Sequence, residues 1–308
     1  MVKKIRLLVL TVLCLTAVLV QPSCGEEKEP RCDQKAIQQA KDEYYKWLAK
    51  AKESAKVASE QEAQLTAGFD ETQREFDEVW GQAPEIGINE LTMHTAAKLG
   101  SEAAEKLAPG LAILELGAFL TQMSVFIANN AKKALTTDSH ALNAAVAHQN
   151  ISFAYENAWQ AQQRWKALEA QCKKRKSASN SREESRQATV TTVSDSQNQI
   201  DEGADLRKSS DFESTLYLQY SAIHSLLEGA SGAFGDAQQA VGNARSVVVI
   251  AGGTLSPEQA KTAKLTGPQL ADCKKWLTAA FTSIAKAVQN YDQVKSELAK
   301  INQLTGKH

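Results

Sequence analysis

Four of the five histidines, His94, His140, His148 and His224, lie within the chain where they are best suited to chemistry, because imidazole can ligate metals and move protons near neutral pH. His140 and His148 lie eight positions apart, close to two helical turns, so a helix would bring them to one face. A di-metal site in a helical bundle also needs a carboxylate at Glu-x-x-His spacing, and neither histidine has one. The chain contains no HExxH, GxSxG, Walker loop or dinucleotide glycine motif. Its many carboxylates fit the solvated faces of helices better than a pair poised for acid–base work. The sequence therefore predicts a non-enzymatic protein with no catalytic residue, no metal site and no cofactor.

The cysteines carry the remaining chemistry, and their reading depends on the N-terminus. Lys3, Lys4 and Arg6 precede an apolar run from Leu7 to Val20, and Gln21-Pro22-Ser23 leads to Cys24. That is the layout of a secretory signal peptide over residues 1–23. A helix of those fourteen apolar residues would be about 21 Å long against a hydrocarbon core of roughly 30 Å, which favours cleavage over a retained anchor. The small Ser23 before the cysteine resembles the bacterial lipoprotein pattern, with Gln21 a departure from it, and makes Cys24 the lipidation candidate. An acylated Cys24 would tether the protein to a membrane.

Cleavage removes Cys14 and leaves Cys24, Cys32, Cys172 and Cys273, none at CxxC spacing. In an oxidising compartment four cysteines allow three pairings. Asn150-Ile151-Ser152 matches a glycosylation acceptor, but Ile151 belongs to a helix seam and the match is expected to be fortuitous.

The elements that must position these residues are helices. Alanine, glutamine, lysine and glutamate dominate a chain of 308 residues with only six prolines. Three of the 35 basic residues lie in the leader, leaving 32 against 36 acidic ones, so no broad positive field exists and nucleic acid is excluded as a partner. In the first helix, from about Asp33 to Trp80, Ile37, Tyr44, Ala51, Ala58 and Leu65 recur every seven residues. A second helix is expected from Asn89 to Leu135, and a third from Ser139 to Lys176 after a capping connection at Thr137-Asp138-Ser139. The third carries Ile151, Ala154, Ala158, Ala161, Trp165, Leu168 and Cys172 at alternating three and four spacing.

Residues 177–210 hold eight serines and read as a flexible linker, with weak helical character near Val190 to Ile200. A fourth helix runs from Asp211 to Ala251, interrupted by Gly229, Gly232, Gly235 and Gly242, and Ser256-Pro257-Glu258-Gln259 has the pattern of a capping box. In the last helix Leu270, Leu277, Ile284, Tyr291 and Leu298 keep a seven-residue rhythm over five heptads.

The expected fold is an all-α, elongated antiparallel bundle of about five long helices with coiled-coil-like seams. Its first helical region is 24–176 and its second is 211–308. Up-and-down winding of five helices puts Cys32 and Cys273 at one end and Cys172 at the other, predicting a Cys32–Cys273 disulfide.

One segment, Leu107 to Ala128, is apolar nearly all round. Pro109-Gly110 should kink or restart it, and Leu107, Leu111, Leu114, Glu115, Phe119 and Phe126 are its membrane-segment candidates. Its leading reading is a central covered helix. The alternative is a membrane-active protein, because the segment resembles those that soluble helical pore-formers store inside a bundle. The function expected is that of an exported protein of a bacterial envelope with an interaction or structural role. Its partner would be another protein or a second copy held through helix seams, with a membrane as a further partner.

Overall fold

The computed structural model describes residues 32–81, 101–183 and 195–306. The leader, Cys24, Asn89 and His94 lie outside the described residues. Among those described, every element is a helix: α1 (Gln34–Gly81), α2 (Ser101–Gly110), α3 (Ile113–Glu183), α4 (Asp195–Gly252), α5 (Pro257–Ala260) and α6 (Gly267–Thr305). The all-α bundle is as expected from the heptad rows.

Local chemistry fixes the helix ends. The Asp33 carboxylate accepts from the backbone N–H groups of Lys35 and Ala36 at 3.0 and 3.1 Å, capping α1. Pro109-Gly110 ends α2, and the chain restarts as α3 two residues on, where the Glu115 carboxylate accepts from the Ala112 N–H at 3.1 Å. Ser256 and Gln259 form a reciprocal capping box on α5. Replacing Ser256 with alanine should cost about 1 kcal/mol locally, read as faster hydrogen exchange at the Gln259 amide. Gly306, at φ 67°, closes α6 in the left-handed conformation that glycine adopts without strain.

The main departure from the sequence reading is at Thr137-Asp138-Ser139. No connection forms there, and α3 runs through it as one helix of 71 residues, about 105 Å long. Of the residues that looked like caps, Ser139 satisfies itself inside the helix, as does the neighbouring Thr136. The Thr136 and Ser139 hydroxyls donate back to the carbonyls of Lys132 and Leu135 at 3.0 Å each. Thr137 and Asp138 are buried against neighbouring helices. Thr137 sits against Gly68 of α1, where an added Cβ would come within 2.9 Å of its Oγ1, so glycine permits the close approach. The Ser-rich stretch is also more helical than expected, since 177–183 finishes α3 and 195–210 begins α4.

Merging two expected helices changes the parity of the winding. The chain goes up α1, down α3, up α4 and down α6. Gln61 of α1 meets His140 of α3, Glu43 meets Arg164, and Ser124 of α3 meets Gln238 of α4. Cys32 therefore reaches Cys172, and the two form a disulfide with Cα atoms 5.1 Å apart across 140 positions. The Cys32–Cys273 pairing is thereby corrected. Phe69 of α1 stacks on Tyr291 of α6 at 5.9 Å, and α6 descends from that contact toward Ser59 and Glu62. Cys273 lies on the opposite side of it from Cys32, as a buried free thiol.

The core is uneven along the rod. Its upper part is one large cluster from α1, α2, α3, α4 and α6, filled by residues such as Leu65, Leu120, Met123, Ile127, Leu227, Phe234 and Phe281. The lower part of α1 and α3 has only a small cluster of Ala51, Ala58, Ala147, Ile151 and Ala154, flanked by Trp47 and Tyr155. Alanine buries little apolar surface, so this end gains less from packing. The disulfide holds its extremity.

Leu107, Leu111, Phe119 and Phe126 are buried in the upper core, whereas Leu114 and Glu115 are exposed. The apolar segment is thus two helices broken at residues 111–112, most of whose large side chains are covered. Among the described residues no helix is long and apolar enough to cross a membrane.

Candidate functional site

The most concentrated polar chemistry lies where α1, α3 and α4 meet. His148 of α3 is 4 % exposed. Its Nε2 lies 2.8 Å from a carboxylate oxygen of Glu62 on α1, and its Nδ1 lies 2.6 Å from Glu213 on α4. Tyr220 of α4 stacks on the imidazole, with ring centroids 5.1 Å apart and planes nearly parallel at 3°. One turn below, the Ser152 hydroxyl bonds those of Ser210 and Ser214 at 3.0 and 2.8 Å.

The electrostatics follow from this geometry. Burial alone would depress the imidazole pKa, but hydrogen bonds and negative charge from Glu213 and Glu62 outweigh it and raise the value to about 9. At neutral pH the site is an imidazolium clamped between two carboxylates. Burial, and next the Glu62 charge and hydrogen bond, push the Tyr220 hydroxyl far above its ordinary range, so it stays neutral.

Such a cluster does not suit a metal, because the two carboxylates occupy opposite edges of the imidazole and converge on no common point. Among the described residues no group of three or more His, Cys, Asp or Glu side chains is arranged to hold one. It does suit the joining of three helices in one register, since each carboxylate comes from a different neighbour. Its Glu62–Tyr220 edge borders an open groove of about 440 Å³, lined also by Asp70, Leu298, Ile301 and Asn302.

A second polar contact joins α3 and α4 higher up, where Asp138 and His224 Nδ1 lie 2.5 Å apart. Burial raises the Asp138 pKa, opposed by its hydrogen bond to His224 and that residue's charge. His140 meets Gln61 of α1 at 3.0 Å. The eight-residue spacing did bring His140 and His148 toward α1, yet each takes its own partner and they share no site.

Sequence reasoning missed Glu62, Glu213 and Tyr220. A signal was present in the rows. Glu62 continues the seven-residue series Leu48, Ala55 and Phe69, and Glu213 stands three positions before the buried Leu216. A carboxylate in a row of apolar residues indicates a buried partner on the facing helix. Cys273 sits alone in the upper core, where burial pushes its thiol up to about 11 and keeps it a poor nucleophile. Asn150 is exposed while Ile151 is buried, within an unbroken helix.

Comparison of the chain with protein-family models, curated proteins and solved structures finds no match.

Proposed function

We propose that the chain is an exported, non-enzymatic helical bundle of a bacterial envelope, tethered through Cys24 or free after cleavage, that serves as an interaction or structural protein. The observation that carries this reading is the Cys32–Cys172 disulfide downstream of a leader-like N-terminus. Disulfides persist in oxidising compartments and are rare in the cytosol, so the bond and the leader support the same address. The histidine–carboxylate clusters serve contacts between helices, which supports a role without catalysis. An elongated rod suits spacing or holding other molecules better than enclosing a substrate.

Expression with its own leader in a Gram-negative host tests the address. The expected product is found in the periplasmic or membrane fraction and begins at or close to Cys24, with acyl chains on that cysteine in the tethered case. A cytosolic product that still carries residues 1–23 would overturn the reading. Intact-mass analysis of the N-terminal peptide distinguishes the outcomes.

A further inference from the structure

The outward face of α3 carries an apolar stripe that no helix among the described residues covers. Leu135 and Phe153 are 57 % and 60 % exposed, and Leu142 and Val146 between them are 42 % and 44 % exposed. Their spacing is seven, four and seven, which is the d, d, a, a order of a heptad seam with Ser139 and Gln149 filling the intervening layers. Other faces of the same helix already pack on α1 and α4. This is therefore an additional seam, about 36 Å long between Lys132 and Glu156.

The stripe is complementary to itself when one copy is reversed. Turned about a two-fold axis level with residue 144, Leu142 faces Val146 of the second copy and Leu135 faces its Phe153. Ser139 faces Gln149, and Lys132 at one end faces Glu156 at the other. Every such layer joins an a position to a d position. In-register parallel pairing would instead place Lys132 on Lys132 and Glu156 on Glu156, a repulsion at both ends. Phe153 is propped edge-on by Trp47 of α1 at 5.7 Å and 85°, which holds it as a firm knob. A shallow groove of about 380 Å³ between α1 and α3, bounded by Val57, Gln61, Asn143, Val146 and Asn150, runs beside Val146. Single exposed apolar residues are ordinary, but four in heptad register along about 27 Å of one helix face mark an interaction surface.

We propose that α3 pairs antiparallel with α3 of a second copy of this chain along Lys132 to Glu156, with Leu135, Leu142, Val146 and Phe153 as its apolar layers. This rests on the interaction role proposed above, to which it gives a partner. It is tested in solution, so a failure of the export reading leaves its outcome unaffected, and its own failure leaves the address standing.

The test uses the chain from residue 24 with Cys24→Ser, so that only introduced thiols react, Cys273 being buried. Sedimentation at tens of micromolar is expected to give a dimer. Leu142→Glu places a carboxylate in two symmetry-related layers. It should weaken the dimer at least about tenfold with helicity and the unfolding transition unchanged, because the side chain is exposed in the single copy. Positions 139 and 149 lie about 15 Å apart within one helix, beyond the reach of a short bismaleimide. The Ser139→Cys/Gln149→Cys double variant should therefore crosslink into dimers, while either single variant should not. A monomer at these concentrations, or a dimer crosslinked by Ser139→Cys alone, would overturn the proposal.

Discussion

Replacing His148 with phenylalanine should destabilise the protein by about 3 kcal/mol at neutral pH, because the half-buried carboxylates of Glu62 and Glu213 would lose the cation between them. The wild-type protein should also lose stability in alkali. The folded imidazole titrates at about 9, above its ordinary 6.5, so the native state holds the proton more tightly than the unfolded chain does. The contribution is complete below about pH 6.5 and is lost as the pH rises through 9. The displacement corresponds to about 3 kcal/mol. Urea unfolding at pH 6 and pH 9.5 measures it. The wild type should show the drop, and the phenylalanine variant should begin lower and change little. Equal pH dependence in both proteins would remove His148 as the responsible group.

Breaking the disulfide is the second large effect. Cys172→Ser should cost about 4–5 kcal/mol in the chain-entropy picture, because the bond closes a loop across 140 positions. The lower rod should respond first, since its small buried cluster is four alanines and one isoleucine edged by half-exposed aromatic rings, without the large fully covered side chains above. Limited proteolysis of the reduced protein is therefore expected to cut below Ala51 in α1 and beyond Ile151 in α3 before it reaches the upper core. Thermal unfolding with and without reductant gives the global value. Cys273→Ser should leave that difference unchanged.

Most of the fold was legible because a seam is a repetitive signal. Ile37, Ala51, Ala58 and Leu65 in α1, and Leu277, Ile284, Tyr291 and Ile301 in α6, are buried as their spacing predicts. The break at Pro109-Gly110 and the capping box at Ser256 were equally readable, since both depend on residues within one turn. The uninterrupted course of α3 was not. Thr137, Asp138 and Ser139 are good caps in isolation, and only their surroundings decide otherwise. Gly68 makes room for Thr137, and His224, distant in sequence, receives Asp138. That single misreading reversed the direction of everything after it and placed Cys172 at the wrong end. The His148 cluster escaped for a related reason. A heptad row says where a side chain points, but which carboxylate on another helix stands opposite depends on axial register between helices 65 and 86 positions apart in sequence.

The axial register is the claim on which the fold, the clamp around His148 and the disulfide all depend. Peptide mapping of the non-reduced protein, recovered from an oxidising compartment, tests it most directly. One linked pair of peptides is expected, containing Cys32 and Cys172, with Cys273 recovered as a free thiol after denaturation. A Cys32–Cys273 or Cys172–Cys273 linkage would contradict the continuous α3 and the order of the helices with it.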